Sequence, residues 1–271
     1  MVYAIRSKLS THGGNTLADF NKFESRAPAA QNMIDIFAGK WASDFSRVYP
    51  GLNAGTVELF MTDPRVPLSA QFLGTNGRLD GMDILELGPL EAGHTYSLEQ
   101  LGANVTAVEA NCEAYLKCLL VKELLELKRV KFLLGDFSGF LQKTDRTFDI
   151  IFASGVLYHM TEPLKLIELI GRCTNKCFVW SHYFDATHYP GAQRTPRSVE
   201  FAGRQFTHHE LPYPDMESGK FWGGNKPVAS WLSREDMLGA FKAVGFDQVE
   251  VVQEHLTHPH GACMCFVAQR S

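Results

Sequence analysis

The sequence predicts an α/β fold with a mostly parallel sheet that ends on an antiparallel strand. From about residue 80 onward, short apolar runs alternate with segments of helical periodicity. This alternation is typical of parallel strands joined by crossover helices. The last two apolar runs follow each other without a helix between them, so their strands must be antiparallel.

The predicted elements follow the chain in order. An N-terminal extension over residues 1–80 carries apolar side chains at helical spacing over 28–45, which predicts a helical cover. The main domain is expected over 81–271, with strands at 82–87, 105–109, 130–134, 148–153, 177–180, 249–252 and 263–268. Helices are expected at 93–101 and 112–127. A third helix should begin after Thr161 as its N-cap. A fourth should run from a capping box at Ser233 and Asp236 to Gly245. An insertion at about 182–230 has no clear period, and we expect an irregular cover there.

The composition is that of an ordinary soluble globular protein, with 45% hydrophobic and 21% charged residues in 271. The net charge of −4 predicts no nucleic-acid partner, because such partners usually require a basic patch. No apolar run approaches the roughly 20 residues of a membrane span, and the N-terminus lacks the apolar core of a signal peptide. The six cysteines are scattered, which favours buried thiols in a reducing, cytoplasmic setting.

Three predicted strands are each followed by an acidic residue at or just beyond the strand end: Glu86, Glu109 and Asp136. The turn after the first strand holds Gly88 and Gly93. Open α/β sheets bind ligands just outside the carboxyl ends of their strands. A carboxylate about 20 residues past a glycine turn suits the two hydroxyls of a ribose. The sequence therefore predicts a nucleoside-binding edge.

This segment resembles the cofactor half of the class I S-adenosylmethionine (SAM) dependent methyltransferases. That family has an acidic-Gly motif after strand one, an acid after strand two and an Asp after strand three. The resemblance implies a seven-stranded Rossmann-like sheet with Glu109 on the ribose and Asp136 on the adenine amine. It also implies that Gly88 and Gly93 lie near the methionine part of SAM.

Further residues complete the predicted cofactor site. Leu90 and Ala92 stand where the family often has additional glycines, so contacts to the cofactor are expected to differ in detail. The negative charge of Glu86 suits a ligand that carries a sulfonium and an ammonium group. The remaining predicted cofactor residues are His94, Phe137, Ser154 and Gly155.

The acceptor-facing residues are expected after strands four and five, where strand ends again point to the ligand. They are Tyr158, His159, His182 and Tyr183. A histidine in this place is a candidate general base, because its ordinary pKa is about 6.5.

A cover over the acceptor is expected from Trp41 in the N-terminal extension and from Phe221 and Trp222, which precede a pair of glycines. No metal site is expected, because neither His208-His209-Glu210 nor His258-Pro259-His260 has a zinc-ligand spacing.

The segments ELGPLEAGHT, SGVLYHM, FWGG…SWLSRED and IDIFAGKWAS are similar to a group of bacterial class I methyltransferases of small molecules. The resemblance implies in-line transfer of a methyl group from SAM to a small molecule, for which alignment of the reactants is the main requirement. Three alternatives stay open: an NAD(P)-dependent dehydrogenase, a SAM-binding protein without catalysis, and an aminopropyl transferase. A dehydrogenase would prefer a Gly-x-Gly-x-x-Gly turn, and Leu90 interrupts that pattern in this chain. The acceptor atom (O, S, N or C) and a homodimeric state are also open.

Overall fold

The structure is a computed structural model that describes residues 23–187, 194–212 and 226–271. The predicted cover residues Phe221 and Trp222 lie outside the described residues. Ten strands lie within these ranges: β1 Asp83–Leu87, β2 Asn104–Glu109, β3 Val130–Leu134, β4 Ile150–Ser154, β5 Lys176–His182, β6 Thr195–Phe201, β7 Arg204–Pro212, β8 Val228–Trp231, β9 Gln248–His255 and β10 Cys263–Gln269.

The main sheet has seven strands in the order β3-β2-β1-β4-β5-β10-β9. The pairs from β3 to β5 are parallel, and β10 is antiparallel to both of its neighbours. The prediction of a mostly parallel sheet with a final antiparallel strand is confirmed. Because β10 opposes both neighbours, β9 runs in the direction of β5, and the loop from β9 to β10 lies at the same edge as the carboxyl end of β5.

The helices in the described ranges are α1 Ala30–Asp35, α2 Arg65–Leu73, α3 Gly93–Gln100, α4 Cys112–Leu124, α5 Phe137–Lys143, α6 Pro163–Cys173 and α7 Arg234–Ala243, with a 3-10 helix at Leu157–His159. The predicted cap of α7 is present, since the Ser233 hydroxyl accepts the Asp236 N–H at 3.0 Å. Thr161 does not cap α6, because its hydroxyl donates to the Val228 carbonyl instead. Within the described part of the chain, no helix has the length and apolarity needed to cross a bilayer.

The predicted N-terminal helix over 28–45 is much shorter than expected. Only Ala30–Asp35 is α-helical, and Gly39 has a φ of 74°, which breaks the right-handed helical path. The rest of the apolar stripe still packs: Trp41 contacts Phe37 and Phe45 edge to face. Spacing alone therefore identified the buried side chains correctly but assigned them a longer helix than the chain forms.

A buried ion pair attaches the N-terminal extension to the main domain. The Glu91 carboxylate accepts the backbone N–H groups of Ala42 and Ser43, and Lys117 of α4 lies 3.0 Å from it. The Lys117 ammonium also donates to the Lys40 carbonyl. Both charged side chains are buried, so their charges have to be compensated by these contacts.

The insertion predicted to be irregular contains a second, antiparallel sheet in the order β6-β7-β8. A two-residue turn at Ala202 and Gly203, both with positive φ, joins the first two strands. Strand β6 is mostly exposed, and apolar and polar residues alternate only over its last three positions, Val199, Glu200 and Phe201. This sheet brings Trp231, at the end of β8, to the carboxyl edge of the main sheet, where its ring meets His182 of β5.

Candidate active site

Glu86 lies in β1, paired with Ala107 of β2, and is buried. Its carboxylate accepts a hydrogen bond from the Thr95 hydroxyl. Burial and the nearby charge of Glu109 raise the pKa of Glu86 to about 8. A cationic group beside this carboxyl would favour its charged form, so the site suits a positively charged ligand.

Glu109 is the last residue of β2 and is held by backbone donors. Its two carboxylate oxygens accept the N–H groups of Leu90, at 3.1 Å, and Asn111, at 2.8 Å. Burial raises the pKa of Glu109. Each carboxylate oxygen has two acceptor positions, so further hydroxyl donors can be accommodated.

Asp136 follows β3 and is the N-cap of α5, where its side chain accepts the Ser138 N–H at 2.9 Å. Asp136 is exposed, and Phe137 beside it is half-buried against the core. The three predicted acids thus lie at or just after the carboxyl ends of three adjacent strands, as a nucleoside-binding edge requires.

The turn between β1 and α3 adopts left-handed conformations without a full set of glycines. The φ values are 68° at Gly88, 55° at Leu90 and 61° at Ala92. A non-glycine residue in this region costs about 1–2 kcal/mol. Leu90 and Ala92 therefore take, at some cost, the backbone conformation that glycine adopts easily. In this turn Leu90 also directs its N–H to Glu109.

Gly93 is required by packing against the N-terminal extension. A Cβ at this position would lie 2.7 Å from the Leu59 Cβ. We expect Gly93→Ala to lower the free energy of unfolding by about 1–3 kcal/mol, because the overpacked contact forces the backbone apart. Urea denaturation measures this change. The matched control is Gly139→Ala in α5, where a Cβ would lie 3.8 Å from its nearest neighbour. This substitution should stabilise the helix by about 0.5–1 kcal/mol, because alanine has the higher helix propensity.

The end of β4 meets a side chain that sequence analysis did not single out. Arg65, at the start of α2, donates to the Ser154 hydroxyl at 3.0 Å. Its guanidinium lies 4.7 Å from the Trp180 ring centroid. Gly155 has a φ of 82° and donates its N–H to the Trp180 carbonyl. The N-terminal extension therefore contributes a cation directly to the carboxyl ends of β4 and β5.

Asp63 connects Arg65 to His94. The Asp63 carboxylate pairs with the Arg65 guanidinium and lies 3.3 Å from His94 Nε2. Despite burial, His94 and Arg65 hold the pKa of Asp63 well below its usual range. Burial lowers the pKa of His94. Sequence analysis could have located the start of α2, and with it Arg65, from Pro64, because proline is frequent at the start of a helix.

An aromatic cluster lies beside Ser154 and Gly155. The ring of Tyr158 is 4.8 Å from His182 and 5.7 Å from Trp180, and the ring of His182 stacks on Trp231 at 5.4 Å. His159 lies against Tyr158, with ring centroids 4.1 Å apart. We call these five residues the aromatic cluster. It combines apolar faces with imidazole and phenol groups, which suits a small organic molecule.

Both histidines of the aromatic cluster are neutral around pH 7. Burial lowers the pKa of His182 to about 4, although its Nδ1 donates to the Gly261 carbonyl at 2.8 Å. Burial and the neighbouring His182 lower the pKa of His159 to about 4. An imidazole with this pKa is unprotonated at neutral pH and can accept a proton, but it is a weaker base than ordinary histidine.

One predicted acceptor-facing residue, Tyr183, and one predicted cover residue, Trp41, lie elsewhere. The Tyr183 hydroxyl donates to Glu254 at 2.8 Å, and Tyr183 belongs to the core on the other side of the strand from His182. Burial and Glu254 raise the pKa of Tyr183. Trp41 is buried in the N-terminal extension, and its indole N–H donates to the Ile34 carbonyl. Tyr183 and Trp41 therefore do not belong to the aromatic cluster.

Comparisons with known proteins agree with this architecture. Residues 79–211 match a family model described as "Methyltransferase domain", and this match supports an enzyme. The range covers the predicted cofactor edge and β1 to β7. A search of curated protein sequences finds no match.

Solved structures share the fold. The N-terminal domain of EvdMO1, determined in the presence of SAH and D-fucose, has a TM-score of 0.66 at 21% identity over 89% of this chain and 94% of its own. Magnesium protoporphyrin IX methyltransferase from Synechocystis PCC 6803, with bound SAH, has a TM-score of 0.51 at 14% identity over 81% of this chain and 90% of its own. The SAM-dependent methyltransferase from Mesorhizobium loti has a TM-score of 0.50 at 12% identity over 71% of this chain and 93% of its own. At these identities the likeness concerns the fold.

Proposed function

We propose that this chain, whose residues 79–211 match the methyltransferase family model, transfers the methyl group of SAM to a small molecule. The observation that carries the proposal is the row of acids Glu86, Glu109 and Asp136 at three adjacent strand ends. In-line displacement at the sulfonium carbon mainly needs alignment of the reactants and exclusion of water. SAH in the structures of EvdMO1 and of the Synechocystis enzyme supports the choice of cofactor.

The cofactor would lie along the edge formed by β3, β2, β1 and β4. Asp136 receives the adenine amine, with Phe137 next to it, and Glu109 receives the ribose hydroxyls. The methionine end extends past Gly88 towards Ser154 and Gly155, where Arg65 and the His94–Asp63 pair supply cationic and hydrogen-bonding groups. The methyl group then points to the aromatic cluster.

We expect Glu109→Ala to weaken SAM binding by about 1–3 kcal/mol, because the buried ribose hydroxyls lose their acceptor. Isothermal titration calorimetry with SAM measures the change. Glu123→Ala, on the exposed side of α4, is the matched control and should bind SAM like the parent. Unchanged affinity in a folded Glu109→Ala protein would contradict the assignment.

We expect SAM binding to release a proton from Glu86 near pH 7. The pKa of Glu86 without ligand is about 8, and the cationic methionine end lowers it on binding. Affinity should therefore rise with pH up to about 8 and level off above it. Titrations in buffers of different ionisation enthalpy count the released protons, and Glu86→Gln should abolish the release. Equal proton release by parent and variant would exclude Glu86.

The acceptor side of the proposal rests on the aromatic cluster. Its rings form apolar faces for a small molecule, and His182 and Tyr158 supply groups that can orient a nucleophile or take its proton. The EvdMO1 domain was determined with a sugar, D-fucose, which supports a small acceptor here as well. The described cysteines are all free thiols, which supports a reducing, cytoplasmic setting.

The decisive experiment incubates the protein with methyl-labelled SAM and cell extract, followed by mass spectrometry of the small-molecule fraction. A labelled small molecule is the expected result. Label found only on protein or nucleic acid would overturn the small-molecule proposal. Calorimetry with NADH in place of SAM tests the dehydrogenase alternative, and we expect no heat of binding from NADH.

A further inference from the structure

Among the described residues, one group of side chains brings together three potential metal-binding atoms. A ring nitrogen of His182, a ring nitrogen of His258 and the sulfur of Cys263 all lie within 4.8 Å of one another. Sequence analysis expected no metal site and did not consider these three residues together; they lie 76 and 5 residues apart. The three residues come from β5, from the loop between β9 and β10, and from the first position of β10.

Strand pairing holds two of these groups together. Cys263 is paired with His182 in the antiparallel register of β10 and β5. Side chains of directly paired residues lie on the same face with Cβ atoms about 4.5–5.5 Å apart. Both residues are 4% exposed, so this half of the group is part of the rigid sheet and not a chance meeting on the surface.

The hydrogen bonds of the two histidines indicate which nitrogen of each ring carries the lone pair. His182 Nδ1 donates to the Gly261 carbonyl at 2.8 Å, so the neutral ring carries its lone pair on Nε2. A metal-binding histidine commonly donates its other N–H to a backbone carbonyl in this way. His258 Nδ1 accepts the His260 N–H at 3.2 Å, which marks Nδ1 as its lone-pair nitrogen. A metal ion would displace this long bond in a partly exposed turn.

We propose that His182, His258 and Cys263 bind one divalent transition-metal ion of the zinc class, with a fourth position open to water or a ligand. Two imidazoles and one thiolate suit Zn²⁺, and three protein ligands with one open position are typical of zinc sites that take a further ligand. In tetrahedral coordination the ligand atoms lie roughly 3.3–3.7 Å apart. The three ligand atoms lie within 4.8 Å of one another, so they would have to come closer by up to about 1.5 Å to reach this geometry.

Metal binding is linked to proton release. Ligand atoms must be deprotonated, so His182 and His258 would bind as neutral imidazoles and Cys263 as a thiolate. Metal binding therefore releases the Cys263 proton to solvent, and affinity should increase with pH.

The metal site and the proposed methyl transfer share His182, so the two are not independent. A metal ion and a proton compete for the same lone pair, so His182 can act as a base only in protein without the ion. The test below measures metal binding directly and does not require turnover.

The experiment titrates the full chain, stripped with a chelator, with Co²⁺ and Zn²⁺. We expect one Co²⁺ per chain with a thiolate-to-cobalt charge-transfer absorbance, and its displacement by one Zn²⁺. His258→Ala and Cys263→Ser should each weaken binding at least about tenfold, and Cys263→Ser should also abolish the charge-transfer band. His258 lies in a loop, so its substitution tests the site without altering the sheet.

Cys265→Ser is the matched control, because Cys265 is also buried in β10 but lies outside the group. It should retain one equivalent of Co²⁺ and the absorbance band. The proposal is overturned if the parent protein binds no stoichiometric Co²⁺ or Zn²⁺, or if His258→Ala and Cys263→Ser bind as tightly as the parent.

Discussion

Replacement of His182 by alanine is expected to lower kcat about 10²–10⁴-fold, equivalent to about 3–5 kcal/mol in the activation barrier, with little change in SAM affinity. The reason is its position in the aromatic cluster, stacked on Trp231 and in contact with Tyr158. In the proposed function this cluster faces the transferred methyl group, so loss of the ring removes both a wall of the acceptor site and a proton acceptor.

The pH dependence separates the two contributions of His182. Its pKa is about 4, so the base form is fully present at neutral pH, and activity should fall only as the pH drops through about 4. His182→Phe preserves the stacked ring but cannot accept a proton. If it retains most of the parent activity, the role of His182 is packing; if it falls as far as His182→Ala, proton transfer is supported.

A matched control for this series is His255→Ala, since His255 is an exposed histidine of β9. It should leave kcat unchanged. An ionisation between pH 6 and 7 that disappears in the His182 variants would contradict the neutral, buried imidazole seen here. Parent-like kcat in folded His182→Ala would remove His182 from the mechanism and leave Tyr158 and His159 as the remaining candidates.

Replacement of Lys117 by methionine is expected to lower the free energy of unfolding by about 3–5 kcal/mol, because it leaves the buried Glu91 carboxylate without its counter-ion. Lys117 lies 3.0 Å from Glu91, and its ammonium lies 5.3 Å from the Trp41 ring centroid. The pair also fixes the backbone of Ala42 and Ser43 through Glu91. Urea denaturation measures the effect.

Lys40→Ala is the control for this prediction. Lys40 forms an exposed ion pair with Glu113 at 3.0 Å, and exposed pairs are worth about 0–1 kcal/mol. A loss in Lys117→Met as small as in Lys40→Ala would show that the Lys117–Glu91 pair contributes little to holding the extension. We also expect Lys117→Met to reduce turnover, because the same extension carries Arg65 to Ser154.

The sequence by itself determined the main sheet and the identity of the three acids along its edge. The strand-helix alternation is a local pattern, and each of Glu86, Glu109 and Asp136 lies at or just after the end of its own apolar run. Since the carboxyl ends of parallel strands meet at one edge, local information is sufficient for this part of the site. The final antiparallel pair followed from the same reasoning, because no crossover helix separates its strands.

Only the tertiary structure decided how the N-terminal extension and the insertion meet this edge. Arg65 contacts Ser154 across 89 positions of sequence, and Lys117 contacts Glu91 across 26. The periodic pattern over 28–45 predicted a long helix, but the helix ends at Asp35. The mostly exposed strand β6 alternates only over its last three residues, too short a pattern to predict a strand.

The same distinction applies to the aromatic cluster and to the proposed metal site. His182 and Trp231 belong to different sheets, and Cys263 reaches His182 only through the register of β10 on β5. Periodicity and capping describe contacts between residues a few positions apart. The meeting of side chains from distant segments depends instead on how whole elements pack, and the packing of those elements brought these residues together.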